Sequence, residues 1–230
     1  MRIMVKDREF YKKIGKIGLE NRWKKEHSKF RIKKYWSKEK AAIDAFLCGD
    51  GYIAIRKDKN GTIHHEAQIV LDNFELCSYV CNLFKKEFKI NLNTSKRKDN
   101  CFGVRINNKP ICSHLLSLNK YKSMEWKIPF GLNETELREW IKCFCDCESS
   151  VDIKRRKIQV KSINHNGLYE IKKALKSFKI NSNLYGPYKQ KIKRHRDYSI
   201  LVISSDDVIK YKKLINFNHP LKKEKLARIA

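Results

Sequence analysis

Twice along this chain a helical run rich in apolar residues leads straight into an acidic residue, and the same succession of elements follows each time. From Ala41 to Cys48 nearly every residue is apolar (Ala41, Ala42, Ile43, Ala45, Phe46, Leu47, Cys48), after Ser37 and before Gly49-Asp50-Gly51. Ser37 has N-cap chemistry, and a helix apolar all round belongs in an interior. A second run passes through Trp140, Ile141, Cys143, Phe144, Cys145 and Cys147 and ends at Glu148-Ser149-Ser150. Asn133, with Glu136 three residues on, opens it as a capping box.

After the first helix, alternation and turn chemistry predict strands over 52–56 and 63–71 around Lys59-Asn60-Gly61, then a helix over 75–88. Strands over 92–98 and 102–106 and a helix over 110–118 complete the unit. After the second helix, strands are predicted over 151–155 and 157–163, a helix over 168–178, strands over 184–191 and 198–203, and a last helix from near Asp206. The tetrapeptide Phe88-Lys-Ile-Asn91 recurs as Phe178-Lys-Ile-Asn181, ending the equivalent helix in each half. The reading is therefore α+β: two pseudo-symmetric αββαββα repeats, residues 37–118 and 134–217, joined by a linker over 119–133 with Pro129 and Gly131 as breakers. A basic N-terminal arm (1–36) carrying Phe10, Ile14, Ile17, Leu19, Trp23 and Phe30, and a basic C-terminal tail (218–230), flank them.

Charge narrows the function. Lys and Arg total 52 against 25 Asp and Glu, a net charge of +27 over 230 residues. So large a self-repulsion asks for a polyanion to share it, nucleic acid or an anionic membrane. The excess is +10 over residues 1–40, +2 over 41–150 and +15 over 151–230, so the carboxylates concentrate in the middle, where a catalytic acid belongs. No stretch approaches the ~20 apolar residues of a membrane span. The start MRIMVKDREF lacks a secretory signal's apolar run, and the eight cysteines then read as thiols in a reducing intracellular compartment, cytoplasm, nucleoid or organelle.

The segment Ile43-Asp-Ala-Phe-Leu-Cys-Gly-Asp-Gly51 resembles the signature of the LAGLIDADG homing endonucleases, and Ile141-Lys-Cys-Phe-Cys-Asp-Cys-Glu-Ser149 resembles it again. Two copies in repeated contexts, covering about residues 37–217, are similar to the single-chain, two-repeat form of that family. The second copy departs in Lys142, at a usually small position, and in Ser149 for the usual Gly; the first has Cys48 where the family often has Asp. At Ser149 a left-handed helix cap would favour glycine.

Physical chemistry gives the motif independent sense. Ala45 and Gly49 lie four apart on one helix face, and Cys143 and Cys147 hold the same places on the other. Small residues at that spacing let two backbones approach closely, so the helices are expected to cross at the repeat interface with Asp50 and Glu148 side by side. Paired carboxylates at the negative ends of helix dipoles are unfavourable, and a bound divalent cation relieves both conflicts. Hard oxygen ligands suit Mg²⁺, with Mn²⁺ or Ca²⁺ able to occupy the same site, and metal-activated water would hydrolyse a phosphodiester. The resemblance adds the backbone carbonyls of Gly49 and Cys147 as metal ligands and places a basic side chain near the scissile phosphates, for which Lys161 is the candidate.

For DNA, the expected contacts are strand and hairpin-tip residues: Arg56, Lys57 and Lys59; Lys96, Arg97, Lys98 and Arg105; Lys154, Arg155, Arg156 and Lys157; Lys189, Lys191, Lys193, Arg194 and Arg196. Antiparallel sheets bearing them would form a DNA-binding saddle. A strand of ~9 residues spans ~30 Å, or ~9 base pairs, so two halves suggest a duplex site of roughly 20 base pairs read by a monomer. Because the repeats differ, the target is pseudo-palindromic at best. Cys143, Cys145 and Cys147 point apart on a helix and do not converge on zinc. The resulting expectation is a sequence-specific, Mg²⁺-dependent double-strand DNA endonuclease, intron-encoded by resemblance. The alternatives are an RNA maturase binding intron RNA or a DNA-binding protein on the same scaffold, and more weakly a structural nucleoprotein.

Overall fold

The computed structural model describes residues 35–189 and 196–229, together with Gly15, Ile17 and Gly18. The chain divides into two units, Met1–Lys33 and Lys34–Ala230. In the first, Gly15, Ile17 and Gly18 are helical and exposed; the rest of the expected arm up to Lys34, and Lys191, Lys193 and Arg194, lie outside the described residues.

Helix α1 (Lys38–Asp50) starts where the Ser37 hydroxyl accepts the Lys40 N–H at 3.1 Å. With Ala41 through Leu47 fully buried, it has no solvent face. It passes directly into β1 (Gly51–Lys57), which pairs antiparallel with β2 (Ile63–Leu71). Helix α2 (Phe74–Phe88) crosses to β3 (Thr94–Lys96), which pairs with β4 (Phe102–Ile106), and β4 returns beside β2. Helix α3 (Lys109–Leu118) closes this half. The second half repeats the plan with α4 (Glu134–Glu148), β5 (Ser149–Asp152), β6 (Lys157–Ser162), α5 (His165–Ser177), β7 (Asn183–Tyr188), β8 (Tyr198–Ser204) and α6 (Asp206–Leu214). The strand orders β1-β2-β4-β3 and β5-β6-β8-β7 are the same, giving an α+β fold with, among the described residues, two four-stranded antiparallel sheets.

The local chemistry of the two halves agrees in detail. Asn133 and Glu136 make both bonds of the capping box. Lys89 and Lys179, within the repeated tetrapeptide, both take left-handed backbone (φ 57° and 59°) as their helices end. Each repeat's core lies between its sheet and its helices, with Ala67, Ile69, Val104 and Ile106 facing α2 and α3, and Ile158, Val160, Leu201 and Ile203 facing α5 and α6.

Several expectations need correction. The strand expected over 92–98 shrinks to Thr94–Lys96. That expected over 151–155 stops at Asp152, because Ile153–Arg156 form the turn, closed by Arg156 N–H to the Ile153 carbonyl at 3.2 Å. The strand over 184–191 ends at Tyr188, so Lys189 lies beyond it. Neither acidic helix end adopts the left-handed cap: Gly51 (φ −124°) and Ser149 (φ −107°) are both extended. A serine is therefore unstrained at 149, whereas Gly51 is required sterically, since a Cβ there would meet Leu47 Cα at 2.7 Å. The segment expected as a basic C-terminal tail instead forms helix α7 (Pro220–Ala227), packed against β5 with Leu226 and Ile229 buried. Among the described residues no helix is long and apolar enough to cross a membrane.

Candidate active site

α1 and α4 pack against one another, and they meet tightly near the acidic ends. A Cβ on Gly49 would stand 2.6 Å from Cys147 Cβ and 3.7 Å from Glu148 Cγ. Ala45 and Cys143, one turn back, are fully buried. With no side chain at Gly49 the two helices meet closely there, and the charge of Asp50 acts on Glu148.

Their electrostatics record the proximity. Burial and then the Asp50 charge push the Glu148 carboxyl up to about 7, against the pull of Lys222. Burial also raises Asp50, while a hydrogen bond from Cys147 and the Lys222 charge oppose it. Two mutually repelling carboxylates, flanked by helix-end carbonyls, form a donor set of hard oxygens that fits a divalent cation such as Mg²⁺. Among the described residues no cluster of three or more His, Cys, Asp or Glu side chains is arranged to hold a metal, so any ion here rests on these two acids with backbone and water oxygens.

Lys161 lies on β6 opposite Ile200 of β8. It lines, with Glu148, Gly49, Cys48, Trp126, Arg196 and Tyr198, an open cleft of about 490 Å³. Its ammonium sits 3.9 Å from the centre of the Tyr198 ring, a cation–π contact that aims the charge while leaving it exposed. Tyr198 was not foreseen; the signal was its place two residues after Arg196, at the head of β8.

The motif helices are anchored by carboxylates that sequence reasoning passed over. Asp44 in α1 is fully buried and accepts from Trp140 Nε1 (2.8 Å), Tyr121 Oη (2.8 Å) and Asn119 Nδ2 (3.0 Å). In α4, Asp146 accepts the backbone N–H groups of Asn218 and His219, both at 2.9 Å, and Asn218 Nδ2 at 2.9 Å. Burial raises both carboxyls to about 6, with their hydrogen bonds opposing it. Asn119 follows α3 as Asn218 follows α6, so each repeat ties its closing loop to its own motif helix. Lys142, the residue at a usually small position, pairs with Glu139 at 2.9 Å in the middle of α4.

The expected DNA contacts fall on the sheet faces and tips. By strand alternation, Arg56 and Arg105 share with Tyr52, Glu66 and Gln68 the face of the first sheet turned from the core. There Arg105 lies 3.8 Å from Glu66, and Tyr52 Oη donates to the same carboxylate at 2.7 Å. Lys57, Lys59, Lys96, Arg97, Lys98, Lys154, Arg155, Arg156, Lys189 and Arg196 are exposed, and Lys157 is half-buried. Arg97 is engaged by Asp99 at 3.1 Å. Lys96 points to the opposite side of its strand from Arg97. The second sheet's outer face is less basic: Ser150, Gln159, Val202 and Asn183 form one row, Lys161, Ile200 and Tyr185 the next.

The geometry can be set beside known proteins. A family model described as a LAGLIDADG-like domain matches residues 135–216. Mesophilic variants of the homing endonuclease I-DmoI superpose with TM-score 0.62 at 18% identity, over 83% of this chain and 96% of that one. The crystal structure of I-DmoI in complex with DNA and Ca gives the same values. The N-terminal LAGLIDADG domain of DUF199/WhiA superposes with TM-score 0.52 at 14% identity, over 86% of this chain and 90% of that one. No curated protein matches the chain significantly. Residues 135–216 thus match a LAGLIDADG-like domain, and the two repeats together share the fold of I-DmoI.

Proposed function

We propose that the protein is a site-specific double-strand DNA endonuclease acting as a monomer, with repeats 37–118 and 134–217 each reading half of a target of roughly 20 base pairs. The observation that carries this reading is the meeting of Asp50 and Glu148 where α1 and α4 touch through Gly49 and Cys147. The structures similar to it include I-DmoI bound to DNA with Ca and with Mn, and a net charge of +27 suits a polyanionic partner. Asp50 and Glu148 would hold Mg²⁺, with the carbonyls of Gly49 and Cys147 beside them. Such an ion, when bound, supplies charge stabilisation and an acidified water for phosphodiester hydrolysis.

The chain's own residues do the rest. Asp50 and Glu148 orient the hydrolytic site across the repeat boundary, one from each repeat. Lys161 places a positive charge in the cleft beside Glu148, where it can meet a phosphate oxygen. Arg56 and Arg105 are placed to read base edges, and the tip residues to bind phosphates. The eight cysteines suit a reducing intracellular setting.

Asp50→Asn and Glu148→Gln are expected to keep duplex binding and lose cleavage by at least ~10²-fold, since each removes a charge that acts in the transition state. The assay is Mg²⁺-dependent cutting of a library of long duplexes, followed by gel shift. Full cutting by both variants would refute the assignment. A second reading, a binding protein with no cleavage, is favoured by the ammonium of Lys222 standing on the Cys147 carbonyl; it predicts salt-sensitive binding, to DNA or to intron RNA, and no cutting at any Mg²⁺ concentration.

A further inference from the structure

Helix α7 brings one basic side chain to the place where α4 delivers Glu148. The Lys222 ammonium donates to the carbonyls of Cys145 (3.3 Å), Asp146 (2.5 Å) and Cys147 (3.3 Å). These belong to the last turn of α4, where a cation meets the dipole's negative pole; the Cys145 carbonyl also accepts the Ser149 N–H and hydroxyl. Its charge also reaches both acids, opposing the rise of each carboxyl. An ammonium has three donors, and three carbonyls match them, so Lys222 reaches the two acids through its charge and not by donating to their carboxylates.

We propose that Lys222 is a tethered cation that holds the acid pair's field in the metal-free protein and competes with the divalent ion, which loads as the ammonium withdraws from the Cys147 carbonyl. The proposal rests on the metal reading of Asp50 and Glu148 given above. A divalent ion held by that pair enters the same negative well, so the fixed positive charge lowers its affinity. The Lys222 stem is flexible and its head compact and well hydrated, which suits withdrawal. α7 does not depend on it for anchorage: the Asn218 and His219 N–H groups bind Asp146, and Leu226 is buried. Lys222 would thereby set the divalent-ion concentration at which the site fills.

A plain helix cap and a competing cation predict opposite results. The probe is Mn²⁺ alone, titrated into the full chain without DNA and followed by the electron paramagnetic resonance of free Mn²⁺. Lys222→Gln keeps an N–H donor for the carbonyls, and Lys222→Met keeps the stem; both remove the charge. Each is expected to bind Mn²⁺ about fivefold or more tightly than the natural chain, while Lys222→Arg stays close to it. Adding Asp50→Asn to Lys222→Gln should abolish the gain. Unchanged or weaker Mn²⁺ binding by both uncharged variants overturns the proposal, as does absence of site binding in every chain. If Asp50→Asn and Glu148→Gln weaken Mn²⁺ binding but the Lys222 variants do not tighten it, only the role of Lys222 fails. If those two acid variants bind Mn²⁺ like the natural chain, the metal reading itself fails.

Discussion

Gly49 owes its identity to one contact. The Cβ of an alanine there would lie 2.6 Å from Cys147 Cβ and 3.0 Å from its Sγ, so the helices must part. Gly49→Ala should cost about 2 kcal/mol in urea unfolding, a typical overpacking penalty, and should reduce cleavage; Cys147→Gly in the same chain should restore both by reopening the gap. Glu148 makes a pH prediction. Its folded carboxyl titrates at about 7 against an ordinary 4.5, so the folded protein binds the proton more tightly than the unfolded one. Below about 4.5 both states are protonated and the penalty is absent. As pH rises toward 7 the metal-free protein loses stability. Asp44 and Asp146, raised to about 6, act in the same direction over a lower window. Comparing melting temperatures of the natural chain and Glu148→Gln across pH 4–8 isolates the uppermost step, which the variant should lack.

Among the elements, the motif helices are fixed by carboxylates spaced differently in the two repeats. Asp44 lies six residues before Asp50, whereas Asp146 lies two before Glu148, yet each receives the Asn that follows its repeat's third helix. The first repeat has Cys48 where the second has Asp146, and its Asn119 still reaches the Cys48 sulfur at 3.4 Å. Asp146→Ala removes the acceptor of the N–H groups that lead into α7. Leaving them unpaired should cost about 3 kcal/mol, and hydrogen exchange should show α7 losing protection before the sheets do. The N-caps of the motif helices and the second strand (63–71) were legible in sequence because caps and alternation are local. α7 was not legible as a structured element. Pro220 could have marked its first turn, but its burial depends on a groove made by distant residues.

At the scale of the molecule, the two sheets present different faces, with arginine, glutamine and glutamate on the first and more apolar side chains on the second. Duplex affinity should fall steeply with salt. Replacing Lys154 and Arg155 by alanine should reduce the slope of log affinity against log salt by up to about 2, roughly 0.9 for each lost phosphate contact; fluorescence anisotropy at several salt concentrations measures it. The amino-acid sequence alone determined the duplicated order of elements, the buried motif helices, the acids that end them and the excess of positive charge. Those follow from periodicity, capping and composition, which act within a few residues of each position. Only the tertiary structure decided that Lys222 stands on the carbonyls of α4, that Lys161 rests on Tyr198 in the cleft of Glu148, and that Ser149 is unstrained. Each of these depends on backbone path and on side chains tens of residues apart meeting, which local sequence patterns do not encode.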